Sequence, residues 1–178
     1  GSKSGKSSLA QNISKALSKD NALYYVATMI PSDAEDKEKI CLHIEDRADM
    51  GFDTVECGTD IVTVFNTTDK NGTFMLDSVT ALLTNEMYGD FGNIGVDIKA
   101  AERCIKDIRQ LAETVNNIII VSDYIFSDAE NYDESTKLFC KSLADIGNDI
   151  ATYADVVIEM NIGNATVHKG KDIYETIL

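Results

Sequence analysis

Short aliphatic runs alternate along this chain with stretches of helical periodicity, and that alternation restricts the fold more than any other feature. Ile118-Ile119-Ile120-Val121 is the clearest run, with no polar side chain in alternate positions. A strand wetted on one face alternates apolar and polar residues, whereas a strand buried on both faces is aliphatic throughout. Leu23-Tyr24-Tyr25-Val26-Ala27 and Thr73-Phe74-Met75-Leu76-Asp77 read as buried strands, and Phe52 to Cys57 as a weaker one. Helical spacing relates Leu9, Ala10, Ile13 and Leu17, then Ile98 through Val115, then Leu138, Phe139, Leu143, Ile146 and Ile150. A charged helix is expected from Asp33 to Arg47, breaking near Asp49-Met50-Gly51. Strands separated by helices connect through right-handed crossovers, which predicts a three-layer α/β fold whose mostly parallel sheet is covered on both faces. Val156 to Met160 and Ala165 to His168 add an antiparallel edge hairpin, turning at Gly163-Asn164.

A chain of 178 residues falls within the roughly 100 to 200 that one core usually serves. The single proline, Pro31, and the 11 glycines leave no candidate linker, so one domain spanning 1–178 is expected. Its 16 basic and 30 acidic side chains give a formal charge of −14, which opposes a phosphate backbone and predicts no nucleic-acid partner. No stretch approaches the roughly 18 to 20 apolar residues of a membrane span, and no basic and apolar signal opens the chain, so a cytoplasmic protein is expected. Cys41, Cys57, Cys104 and Cys140 form no C-x-x-C pair and read as reduced structural thiols.

Gly1-Ser2-Lys3-Ser4-Gly5-Lys6-Ser7 matches the end of G-x-x-x-x-G-K-[ST], with the first glycine falling one position before Gly1. The expectation is therefore a P-loop NTPase-like domain whose first strand is missing from this chain. In such a loop, main-chain N–H groups and a helix N-terminus hold phosphates, the lysine offsets their charge, and the following hydroxyl ligates Mg²⁺. Lys6 and Ser7 take those positions, and Asp77, at the end of an apolar run, is the candidate second Mg²⁺ ligand. Helix capping is the competing reading for Ser4, Ser7 and Asp77. His43 stands in a charged stretch, either solvated or nucleophilic; an ordinary imidazole, titrating near ~6.5, is mostly neutral at pH 7. His168 reads as structural.

Several segments, in order, resemble one family: Ser4-Gly5-Lys6-Ser7, Leu23 to Thr28, Ile40-x-x-His43-x-x-x-Arg47, Phe52-x-Thr54-Val55-Glu56-Cys57, and Leu76 to Thr80 followed by Asn85-Glu86-Met87. They resemble the bifunctional adenosylcobinamide kinase / adenosylcobinamide-phosphate guanylyltransferases of cobalamin biosynthesis. Ile119 to Ser122, Tyr132-Asp133-Glu134, Ala154 to Val157 and Val167 to Gly170 extend the likeness over essentially the whole chain. It implies a transferase that phosphorylates adenosylcobinamide, then moves GMP from GTP onto the new phosphate through a guanylated histidine. His43 is the matching histidine, with Lys6 as the other catalytic residue. The resemblance further implies ATP or GTP contacts at Gly1, Ser2, Lys3, Ser4, Gly5, Lys6 and Ser7, at Ala27, Thr28 and Met29, and at Ile44, Glu45, Asp46 and Arg47. Mg²⁺ would sit on Ser7 and Asp77, and a homo-oligomer is expected. Asp123-Tyr124-Ile125 departs from the family's usual Asn-Glu-Val. Two other readings stay open: a P-loop kinase for a different alcohol, and a diverged nucleotide-binding protein without full activity.

Overall fold

Four parallel strands form the central sheet: β1 (Leu23–Ala27), β2 (Asp53–Glu56), β3 (Thr73–Asp77) and β4 (Asn117–Val121), in the order β2-β1-β3-β4. The computed structural model describes residues 4–19, 21–31, 48–89, 95–123, 125 and 132–177. Ala27 pairs with both Glu56 and Asp77, and Asp77 pairs with Val121, so the C-terminal ends of the strands lie side by side. The central strands β1 and β3 are buried along most of their length. Their alternation sends Tyr24, Val26, Phe74 and Leu76 to one face, and Tyr25 and Met75 to the other.

The first face is covered by α2 (Val79–Tyr88), α3 (Ala100–Thr114) and α4 (Glu134–Tyr153). In α3 the apolar side chains Ala100, Cys104, Ile108 and Leu111 recur every three or four residues and are all buried, as a helix with one face on a sheet requires. Leu143 and Ile146 of α4 complete that core. Truncating a side chain as fully buried as Leu111 would cost about 2–5 kcal/mol. The opposite face is covered by α1 (Lys6–Ser18), where Ala10 packs against Tyr25, Met75 and Val121. Side chains cap the starts of α2 and α4: Ser78 accepts from the Ala81 N–H at 3.3 Å, and Asp133 from the Thr136 N–H at 2.7 Å.

The hairpin forms a second, two-stranded sheet from β5 (Val157–Asn161) and β6 (Asn164–Lys169), followed by α5 (Lys171–Ile177). Its turn is one residue earlier than the sequence predicts. Ile162 and Gly163 both have positive φ, 48° and 78°, while Asn164 already pairs with Asn161. A two-residue loop matched to strand twist needs left-handed backbone at both positions, and the ladder on either side holds Ile162 there despite its branched side chain. The sequence reading also passes over α2, α5 and two 3-10 turns, Ala48–Met50 and Ile61–Asn66. The helix expected over Asp33 to Arg47 lies outside the described residues. No helix among the described residues is long and apolar enough to cross a membrane. Cys57 and Cys104 are buried free thiols and Cys140 is a half-buried one; burial pushes the Cys104 thiol up to about 12.

Candidate functional site

Because the parallel strands all point the same way, their C-terminal ends gather residues far apart in sequence. Asp77 ends β3, Thr28 follows β1, and Asp123 follows β4. Into this row runs the N-terminus of α1. Gly5 caps it in left-handed backbone, φ 86° and ψ 9°, which favours glycine, and its carbonyl accepts from the Leu9 N–H. The first-turn N–H groups of a helix have no partner within it, so they and the helix dipole favour an anion at this end.

The side chains meet in two groups. Ser7 Oγ donates to Asp77 Oδ2 at 3.0 Å, and the Tyr25 hydroxyl donates to the same oxygen at 2.8 Å. Both bonds fall on Oδ2; Oδ1 takes no hydrogen bond among the described residues. Beside them, Lys6 Nζ lies 2.9 Å from Asp123 Oδ1 and 3.3 Å from Ser4 Oγ. The Asp123 main-chain N–H is fixed in turn by Thr80 Oγ1 at 3.0 Å.

A serine hydroxyl and a carboxylate in contact are two hard oxygen donors. Mg²⁺ keeps most of its waters and is commonly held by one or two protein oxygens together with substrate phosphates. The Ser7–Asp77 pair fits that mode. It does not fit an all-protein cage, since no cluster of three or more metal-ligating side chains occurs among the described residues.

The family model for cobinamide kinase / cobinamide phosphate guanyltransferase matches residues 1–167 of the 178. The chain belongs to that family. A search of curated proteins gave no match. The family consists of nucleotide-binding transferases of cobalamin biosynthesis.

Within this member of the family, the structure brings together Ser4, Gly5, Lys6, Ser7 and Asp77, with Ala27, Thr28 and Met29 at the neighbouring strand end. Thr28 is fully buried; its hydroxyl donates to the Ser78 carbonyl at 2.8 Å and accepts from the Ser78 N–H at 2.7 Å. Met29, at 43% exposure, is the most open of those three side chains. Gly1, Ser2, Lys3, His43, Ile44, Glu45, Asp46 and Arg47 lie outside the described residues, as does Tyr124. His168, on β6, lies 2.9 Å from Glu159 on an exposed face of the hairpin.

Three contacts escape a reading of the sequence. Tyr25 looks like an aromatic core residue, yet its hydroxyl holds Asp77. Asp123 is the ion-pair partner of Lys6. Asn85 Nδ2 donates to the Thr28 carbonyl at 2.7 Å and the Gly58 carbonyl at 2.8 Å, tying the loops after β1 and β2 to α2. The next residue, Glu86, takes 2.9 Å bonds from Arg103 Nη2 and the Asp60 N–H, anchoring the same turn of α2 to α3. Arg103 also reaches Asp97 at 2.8 Å, and the Lys99 N–H together with that guanidinium holds the Asp97 carboxyl below its usual range.

Proposed function

We propose that this chain is a single-domain, Mg²⁺-dependent enzyme that phosphorylates adenosylcobinamide, with ATP or GTP as donor, and then transfers GMP from GTP to the phosphate it has made. The family match supports the pair of activities. The observation that carries the nucleotide half is the meeting of Lys6, Ser7 and Asp77 at one helix N-terminus. The first turn of α1 and Lys6 would hold phosphate oxygens, and Gly1, Ser2, Lys3, Ser4 and Gly5 would contact them. Ser7 and Asp77 would hold Mg²⁺, which when bound offsets phosphate charge. Ala27, Thr28, Met29, Ile44, Glu45, Asp46 and Arg47 would contact the nucleotide. The family likeness also favours a cytoplasmic homo-oligomer.

In the first step the aminopropanol hydroxyl attacks the γ-phosphorus, a new P–O bond forms, the bond to the β-phosphate oxygen breaks, and the hydroxyl proton is lost to solvent. In the second, the neutral imidazole of His43 attacks the α-phosphorus of GTP. A P–N bond forms and pyrophosphate leaves. An oxygen of the corrinoid phosphate then displaces the imidazole, which departs readily once protonated, and the GMP is transferred.

Incubation with GTP labelled at the α-phosphorus tests this reading. A covalent GMP, stable to base and labile to acid, should appear on the peptide from Lys39 to Arg47. His43→Asn should erase it while phosphorylation of the cobinamide hydroxyl survives, because that step runs directly from the triphosphate. An adduct on another residue, or none from enzyme that phosphorylates cobinamide, refutes the guanylyl half and leaves a kinase. Absence of both adduct and triphosphate turnover refutes the whole reading.

A further inference from the structure

Helix α2 follows β3 directly and holds the loops that follow the other three strands of the central sheet. Ser78, at its start, bonds Thr28 after β1; Glu86 Oε1 accepts from the Asp60 N–H after β2; Thr80 Oγ1 accepts from the Asp123 N–H after β4. Asn85 differs from these because its one amide joins two loops. Asn85 Nδ2 donates to the Thr28 carbonyl at 2.7 Å and to the Gly58 carbonyl at 2.8 Å. An amide nitrogen carries two hydrogens, and both are spent on main-chain oxygens of separate loops.

Each of those oxygens belongs to a planar peptide unit, so holding it sets the direction in which the chain leaves the strand end. The first unit leads to Met29 and the second to Thr59, and both residues are exposed. The two loops also touch. A Cβ built on Gly58 would come within 2.5 Å of two side-chain carbons of Ile30 and 3.3 Å of Asn85 Nδ2, so a glycine here lets the loop after β1 lie against the loop after β2.

Ser7 meets Asp77 at the end of β3 and Lys6 meets Asp123 after β4, which places the anion-favouring turn of α1 over those two strands. The Asn85 junction stands over the ends of β1 and β2, in the other half of the sheet. A nucleotide with its phosphates at α1 would therefore bring its nucleoside, rather than its phosphates, against this junction.

We propose that Asn85 is a positioning residue: by holding the Thr28 and Gly58 carbonyls together, it keeps the loops after β1 and β2 shaped for the nucleoside half of the bound nucleotide. This role rests on the nucleotide-binding reading given above. A loop that samples other shapes lowers the apparent affinity by the fraction of time it spends in the competent one. Losing two neutral hydrogen bonds suffices to lower that fraction about fivefold or more. The phosphate contacts at α1 belong to other residues and should be unaffected.

Two substitutions remove both donors by different means. Asn85→Asp keeps the shape and adds a charge. Asn85→Ala adds none, and because the residue is half-buried, water can reach the two carbonyls and the fold should survive. Asn117→Asp makes the first of these changes at the opposite end of the sheet, where Asn117 Nδ2 donates to Thr73 Oγ1 at 3.1 Å. Calorimetric titration with Mg²⁺ compares a non-hydrolysable GTP analogue with inorganic tripolyphosphate. In both Asn85 variants the Kd for the nucleotide should rise about fivefold or more, while the Kd for tripolyphosphate stays within about twofold. Asn117→Asp should change neither. An unchanged nucleotide Kd in either Asn85 variant overturns the role, and so does an equal loss for both ligands, which would mark a general loosening of the fold. A loss confined to Asn85→Asp would assign the effect to the added charge and overturns it as well. Wild type that binds neither ligand refutes the nucleotide-binding reading itself, and the positioning role falls with it.

Discussion

Asp123→Asn is expected to tighten triphosphate binding. Asp123 Oδ1 lies 2.9 Å from Lys6 Nζ, and in the proposed site incoming phosphates would have to take that cation over. The two side chains are 20% and 36% exposed, so water screens the pair. A pair of this kind contributes about 0.2–1 kcal/mol, and removing it as a competitor corresponds to roughly a 1.4- to 5-fold lower Kd. Loss of a carboxylate facing the phosphates acts in the same direction, so this range is a floor. Asparagine has nearly the same shape, and the anchor of residue 123 to Thr80 runs through its main-chain N–H, so the loop should keep its place. Calorimetric titration with a non-hydrolysable triphosphate reads the affinity. The gain should shrink with salt, as the Debye length falls from about 10 Å at 0.1 M to about 3 Å at 1 M. In a Lys6→Ala background the ion-pair part should vanish, which a double-mutant cycle isolates. Weaker binding by Asp123→Asn would refute the competition and make the carboxylate part of the binding site.

Asp77→Asn should lower triphosphate affinity roughly 2- to 30-fold with Mg²⁺ and less than twofold without it, because an amide keeps a hydrogen-bond acceptor but lacks the charge the ion needs, about 1.5–3 kcal/mol for a charged partner against about 1 for a neutral one. Equal losses in matched titrations would make Asp77 structural. Asp133→Ala should destabilise the fold at pH 7 by removing the cap of α4. The Thr136 N–H holds the Asp133 carboxyl below its ordinary range, so its contribution is complete above the unfolded value, near ~3.9, and fades as pH falls through the depressed folded value. Urea melts at pH 7 and pH 3 should show the gap between wild type and variant closing in acid; a gap as large at pH 3 contradicts this.

The legible parts of the fold are those whose burial leaves a periodic trace. β1, β3 and β4 are apolar runs because both faces of the sheet are covered, and α3 shows its stripe because one face meets that sheet. β2 is faint for the opposite reason: it lies at the edge, and Asp53, Thr54 and Glu56 are exposed. α2 escapes detection although Ser78 caps it and Val79, Leu82, Leu83 and Met87 are spaced for a helix. It follows β3 after a single residue, so two apolar patterns of different period merge over Thr73 to Met87. At the site, Lys6 and Ser7 are visible through local spacing and Asp77 through its place at a strand end. Tyr25, Asn85 and the pairing of Asp123 with Lys6 depend on strand register and carry no local signature.

Charge ties these residues to a single requirement. Asp123 pairs with Lys6, and Asp77 with the adjacent Ser7, in a chain whose formal charge is −14. Among the described residues, the side chains of Lys6, Asp77 and Asp123 sum to one negative charge, and a triphosphate adds several more. The N–H groups at the start of α1 contribute only about half a positive charge. The divalent cation proposed above for Ser7 and Asp77 would reverse the sign of the charge on these three side chains. Ser7 and Asp77 would hold that ion, and the bonds from Tyr25 and Ser7 to Oδ2 keep the carboxylate in one orientation. The same balance explains why the two acids should respond oppositely to neutralisation. Asp77 would act through the cation and is needed for affinity, whereas Asp123 would act against the phosphates through Lys6.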